Sequence, residues 1–249
     1  MISLMRSVVT ETSDQQIHKH STGLSGYISL ARELKVLEYL KDSPHIPKIV
    51  KSKDANRKAS IYMEKIQGIS LKELLGMQDG YDTKPLKWSE AKKWLGQYID
   101  AEMDLLHRGA LYRDMNLDHV IFSEGKAYLV DLESTIIKNN QDRWLPSDMR
   151  GTWETMAPEE FGGYSELDSR TVTYRAAVIA HVMLTGKLPF ERFPYSRSTT
   201  HHKRLKHPAK IDALLDTKTR RVFMSALARK PTHRYKDPAK FLENLNSSY

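Results

Sequence analysis

Two aspartates carry most of the chemistry this chain could do. Asp114 lies in Leu111-Tyr112-Arg113-Asp114-Met115-Asn116-Leu117-Asp118-His119, and Asp131 closes Tyr128-Leu129-Val130-Asp131. The intervening Val120-Ile121-Phe122, a turn and a second apolar run predict a hairpin that sets both carboxylates at one mouth. In such a pair, one carboxylate accepts a proton or orients a hydroxyl while the other holds a metal ion. That division of labour suits phosphoryl transfer.

A cation for phosphates must come from elsewhere. Ser7-Val8-Val9-Thr10 and Gln16-Ile17-His18-Lys19-His20 read as strands, and Lys19 is the first lysine of the chain. Taken alone it reads as an exposed strand lysine. No glycine precedes Gly23, so no glycine loop comes before Lys19 to wrap phosphates through backbone N–H groups. Tyr27, Leu30, Leu34 and Leu37 predict an amphipathic helix over Gly26–Lys41. Glu33 and Glu38 lie at opposite margins of its apolar face, and helical geometry alone does not choose which would meet Lys19.

The remaining elements must position these groups. Strands are expected at Lys48–Val50 and Ser60–Met63, around a polar turn. Composition then shifts from strand-rich to helix-rich near Gln67 and Gly68, which predicts an α+β chain in two lobes, 1–67 and 68–249. Ser70 with Glu73 forms a capping box, and Ser89 is the expected N-cap of a long helix reaching Arg108. Residues 134–156 form a polar loop too long for a connector. Further helices are expected at Val172–Thr185, Asp212–Arg229 and Asp237–Leu245.

Composition narrows the classes. The chain has 249 residues, 40% hydrophobic and 28% charged, which is ordinary for a globular protein. It has no cysteine, which excludes disulfides, thiolate metal sites and thiol catalysis. No apolar run approaches the roughly 20 residues of a membrane span. No secretory signal is evident at Met1–Thr12. The net charge of +8 favours an anionic partner. The basic run Arg197 to Lys210 offers either a solvated face or a docking surface for an acidic protein partner. No specific nucleic-acid motif is present.

Taken in register, the motifs resemble those of the eukaryotic-type protein kinase superfamily. Tyr112-Arg113-Asp114 is similar to its His-Arg-Asp catalytic loop, and Asp131-Leu132-Glu133 stands where Asp-Phe-Gly is usual. Gly151-Thr152 followed by Ala157-Pro158-Glu159 resembles the end of the activation segment. Leu184-Thr185-Gly186-Lys187-Leu188-Pro189-Phe190 and the late stretch reaching Arg234 also match in order. The resemblance implies a bilobal protein kinase-like fold with a reduced β-rich N-terminal lobe and a helical C-terminal lobe.

The same resemblance implies roles. Lys19 would contact the ATP phosphates and pair with Glu33, by family register rather than geometry. Met63 would be the gatekeeper, and Glu64 with Ile66 would serve adenine at the hinge. Asp114 would be the base, with Asn116 and Thr152 beside it. Asp131 would bind Mg²⁺, joined by His119 at the position of the family's asparagine. A nitrogen ligand there favours Mn²⁺ as an alternative, since Mg²⁺ prefers oxygen. Glu159 and Arg234 would form a buried ion pair. Val172 replaces an aspartate that usually anchors the catalytic loop, and Asp168 is its nearest substitute. Ser134, Thr135 and Ser147 offer phosphorylation sites, with Arg113 as partner for the phosphate.

The expected activity is transfer of the ATP γ-phosphate to a serine, threonine or tyrosine hydroxyl of a protein substrate. The missing glycine loop, Asn116 and His119 leave a binding-only pseudokinase as an alternative. His119 with Asp131-Leu132 also resembles sugar kinases, which leaves a small-molecule kinase. Compactness and divergence resemble minimal kinases that bacteria inject into host cells. The expected location is therefore the cytoplasm, or a host cell if the protein is such an effector.

Overall fold

The computed structural model describes residues 7–77, 83–138, 152, 154–161, 167–190, 209–212 and 215–249. Of the sequence expectations, Ser147 and nearly all of the basic run Arg197 to Lys210 lie outside these residues.

The N-terminal part is a four-stranded antiparallel sheet with one helix on it. Strands β1 (Ser7–Glu11), β2 (Gln16–Ser21), β3 (Ile49–Ala55) and β4 (Lys58–Glu64) lie in the order β1-β2-β4-β3. Asn56 and Arg57 both take positive φ, +53° and +59°, the two-residue turn whose twist matches a hairpin. Helix α1 (Gly23–Tyr39) starts three residues before the sequence expectation and ends two before it. Its Leu30, Leu34 and Leu37 are buried against the sheet as their spacing requires. Glu33 lies on that buried face and Glu38 is exposed. Register places Lys19 beside Ile61 in the middle of the sheet, where strand alternation turns it toward α1.

After Gly68 the chain is mainly helical. A Cβ at Gly68 would lie 2.3 Å from the Phe122 carbonyl oxygen, so the close passage of these two segments requires glycine. Ser70 caps the short α2 (Leu71–Leu74) through the expected capping box with Glu73. Helix α3 (Trp88–His107) is capped by Lys87, not by Ser89, which falls inside its first turn. Extended backbone at Lys87 allows the turn to begin before the residue with the better capping side chain. Two small sheets follow, β5-β7-β8 and β6-β9, formed by β5 (Ile69–Ser70), β6 (Ala110–Leu111), β7 (Val120–Ser123), β8 (Lys126–Leu129) and β9 (Ile136–Ile137).

Helix α4 (Ser169–Thr185) is buried along almost its whole length and forms the axis of the helical part. Helices α5 (Thr217–Ala226) and α6 (Pro238–Asn246) pack beside it. α5 begins at Thr217 rather than Asp212, because Asp216 accepts the amides of Lys218 and Thr219 and sets the first turn there. Arg234 meets Glu159 through two bonds of 2.6 and 2.8 Å, and Thr171 donates a third at 2.9 Å. Removing one partner of so buried a pair costs about 3–5 kcal/mol.

Candidate active site

The loop that bears Asp114 is held from both ends. Upstream, β6 pairs with β9. Downstream, Leu117–His119 forms a 3-10 turn capped by the Asn116 side chain, which accepts the Asp118 amide at 3.2 Å. β7 and β8 then make the expected hairpin. The amide of Val130 donates to the His119 carbonyl at 3.0 Å, and the Tyr112 hydroxyl donates to the Val130 carbonyl at 2.8 Å. These bonds fasten the end of the second strand to the loop, so Asp131 emerges beside Asp114. Asp131 itself has φ +58°, a left-handed conformation that side chains seldom adopt. Its occurrence at this mouth marks a local constraint of the kind found at functional sites.

His119 stands between the two carboxylates. Its Nδ1 is 3.6 Å from Asp114 Oδ2 and its Nε2 is 3.6 Å from Asp131 Oδ2. Asp114 Oδ1 accepts the Thr152 hydroxyl at 2.7 Å. Burial pushes the Asp114 carboxyl above its usual range, against the pull of the Thr152 bond and of His119. A carboxylate so raised is a stronger base than one in water.

Lys19 completes the mouth. Its ammonium lies 2.7 and 3.0 Å from the Glu33 oxygens and 3.1 Å from Asp131 Oδ1. Burial works against its charge, but Glu33 and Asp131 outweigh burial and raise its pKa. Burial likewise pushes the Glu33 carboxyl up while the Lys19 ammonium pulls it back. The three groups thus form one ionic chain from sheet to helix to hairpin. α1 is tied to that hairpin a second time, by the Ser29 hydroxyl donating to Glu133. Met63 is buried at the end of β4. Glu64 Oε1 accepts the Lys48 amide at 2.9 Å, and the Glu64 amide donates to the Lys48 carbonyl at 3.0 Å. Ile66 is half-buried just beyond.

Several sequence expectations are revised here. Asp168 does not anchor the loop: it accepts the Arg170 amide and caps α4, a role its short carboxylate fills at the start of any helix. Arg113 is 2% exposed, and its Nε lies 3.9 Å from Glu160 Oε1. Ser134 and Thr135 are buried at 5% and 6% exposure, and a modifying enzyme would reach them only after local opening. The sequence reading also missed Arg175. Its Nη1 donates to the Tyr112 carbonyl, and its guanidinium meets Glu102 at 3.1 Å and Glu160 at 3.4 Å. An arginine set directly before the apolar run Ala176-Ala177-Val178-Ile179-Ala180 was the available signal.

Asp114, His119 and Asp131 each offer a ligand atom within 4.8 Å of the others. Two carboxylates and an imidazole on one mouth, with Lys19 beside them, fit a divalent cation carrying an anionic ligand. Among the described residues no helix is long and apolar enough to cross a membrane.

The protein kinase domain profile matches residues 8–243. The serine/threonine-protein kinase Pkn1 of Myxococcus xanthus is 29% identical over 193 residues, covering 74% of this chain and 27% of that protein. Serine/threonine-protein kinase D of Synechocystis is 25% identical over 224 residues, covering 87% of this chain and 41% of that protein. The chain thus spans well under half the length of these curated relatives. Among solved structures, that of the Cydia pomonella granulovirus kinase PK-1 superposes with a TM-score of 0.72 at 15% identity, over 97% of this chain and 95% of that one.

Proposed function

Because the chain belongs to the protein kinase domain family, we propose that it transfers the γ-phosphoryl group of ATP to a serine or threonine hydroxyl of a protein. The observation that carries this is the convergence of Lys19, Glu33, Asp131 and Asp114 on one mouth. Phosphoryl transfer needs little covalent help from the protein; it needs positioning and charge neutralisation.

Lys19, oriented by Glu33, neutralises nucleotide phosphates. Met63 walls the adenine pocket, and the backbone of Glu64 and Ile66 serves its edge. Asp131 and His119 hold the divalent cation, which supplies charge neutralisation at the phosphates when bound. Asp114 orients the acceptor hydroxyl and takes its proton, and Thr152 fixes the rotamer of Asp114 through the 2.7 Å bond. Asn116 caps the loop from the position where serine/threonine kinases carry a lysine, so Lys19 and the cation bear the charge at the phosphate. The protein substrate docks on the basic run Arg197 to Lys210.

Labelled ATP with Mg²⁺ or Mn²⁺ tests the reading. Label should pass to protein with the wild type and be lost with Asp131→Ala. Because His119 offers nitrogen to the cation, turnover with Mn²⁺ should equal or exceed turnover with Mg²⁺. A clear Mg²⁺ preference would remove His119 from the ligand set. Transfer only to a small acceptor would replace the protein substrate by a small molecule. Absence of both transfer and nucleotide-dependent thermal stabilisation would overturn the kinase reading.

A further inference from the structure

The loop carrying Asp114 has an anchor beneath it of a different kind from the expected one. Val172 is fully buried and apolar, so α4 sends no carboxylate upward from that position. One turn later it sends a cation. Arg175 is 0% exposed and donates from Nη1 to the carbonyl of Tyr112, two residues before Asp114. Its other contacts join two further elements. Nη2 lies 3.1 Å from Glu102 of α3, and Nη1 lies 3.4 Å from Glu160, just after Ala157-Pro158-Glu159. Glu102 is completed by the Tyr98 hydroxyl at 2.6 Å, and Glu160 by the Ala157 amide at 2.8 Å. Arg113 Nε lies 3.9 Å from the same Glu160 oxygen, Oε1. Two arginines and two glutamates thus balance in charge inside the protein.

Stability does not account for this cluster. Desolvating each ion costs several kcal/mol, and well-packed apolar side chains often replace such groups without loss. What a guanidinium adds is geometry, because its planar fork fixes several acceptors at once. Here the acceptors belong to α3, to the Tyr112–Asp114 loop and to the turn that follows the segment bearing Thr152.

We propose that Arg175 is a positioning residue for phosphoryl transfer. Through the Tyr112 carbonyl it sets the orientation of Asp114, and through Glu160 it locks that orientation to the segment that also bears Thr152. The inference rests on the kinase reading for its activity assay, but not for its structural one.

The test compares wild type with the charge-balanced double variant Arg175→Met/Glu102→Gln, in which the glutamine oxygen still accepts from Tyr98. The double variant is expected to melt within a few degrees of wild type and to keep its ATP KM. Its kcat should fall about 100-fold, the order expected when a reacting group is misplaced by about 1 Å. Amide hydrogen exchange across residues 111–116 should quicken while exchange in the α3 and α4 cores stays as in wild type. A folded double variant with wild-type kcat and wild-type exchange at 111–116 overturns the proposal. If wild type shows neither phosphate transfer nor nucleotide-dependent thermal stabilisation, the kinase reading falls and the exchange measurement alone decides the anchor. If the double variant does not fold, Arg175→Lys decides. The charge remains, but one ammonium does not hold three acceptors in a plane. An approximately tenfold lower kcat at constant ATP KM and faster exchange at 111–116 are then expected. Wild-type values of both in that variant reject the anchor.

Discussion

Asp114 and Asp131 have different surroundings although they share a mouth. Asp114 is the more deeply enclosed, held by Thr152 and raised by burial. Asp131 is one-third exposed at its side chain and bound to Lys19. Such a difference separates a base from a metal ligand. Replacing Asp114 by asparagine keeps the shape and the Thr152 contact but removes the proton acceptor. Single-turnover rates should fall by about 10²–10⁴, while calorimetric ATP affinity stays within a few-fold of wild type. An equal loss in affinity would place Asp114 in nucleotide binding instead. Both aspartates were legible in the sequence because the hairpin between them is local and strongly patterned. Arg175 was not, because its contact with Tyr112 spans 63 residues and depends on how three elements pack.

At the scale of elements, α1 shows how far periodicity reaches. Leu30, Leu34 and Leu37 fixed its buried face in advance, but that face left Glu33 and Glu38 as equal candidates for Lys19. Only the docking of α1 on the sheet buries Glu33 and leaves Glu38 in solvent. The Ser29 contact to Glu133 was beyond local pattern as well, since 104 residues separate the two. α4 carries a testable device at its other end. His181 is 1% exposed; its Nδ1 lies 2.7 Å from the Lys187 carbonyl, and its Nε2 accepts the Asp212 amide at 3.2 Å. Both bonds are satisfied by the neutral imidazole, and burial lowers its pKa. A histidine lowered in the folded state stabilises the fold above its ordinary pKa of about 6.5, and that contribution is lost as pH falls through the folded value. His181→Gln should therefore cost about 1–3 kcal/mol in urea unfolding at neutral pH. The gap to wild type should narrow below pH 6.5. A gap that stays constant or widens on acidification would contradict the neutral assignment.

For the whole molecule, the shift from strand-rich to helix-rich composition made the α+β class readable. The four-stranded sheet and α1 precede residue 65, and every other α-helix among the described residues follows residue 70. Helix starts were less legible: Ser89 and Asp212 looked like beginnings, but extended backbone at Lys87 and the Asp216 cap moved them. The cap moves by two residues in the first case and the helix start by five in the second. Charge is a property of the entire surface, and +8 on 249 residues should act at long range. The KM for an acidic protein substrate should rise as salt goes from about 0.05 to 0.3 M, over which screening shortens markedly. The KM for a basic substrate should not rise. Equal salt response for the two would mean that net charge plays no part in substrate capture.

The buried pairing of Arg175 with Glu102 also bears on descent. On the proposal above, an aspartate at position 172 and an arginine at 175 are alternative ways to hold one loop, and a single substitution within the Arg175–Glu102 pair strands a charge in the core. A lineage that crosses must therefore change positions 102 and 175 in close succession. Among descendants of a common ancestor, the residues at 102, 172 and 175 should therefore be inherited as a set, with Glu102 and Arg175 lost together wherever aspartate stands at 172. The trio would then mark a branch of the family tree, even where overall identity has fallen too low to draw one.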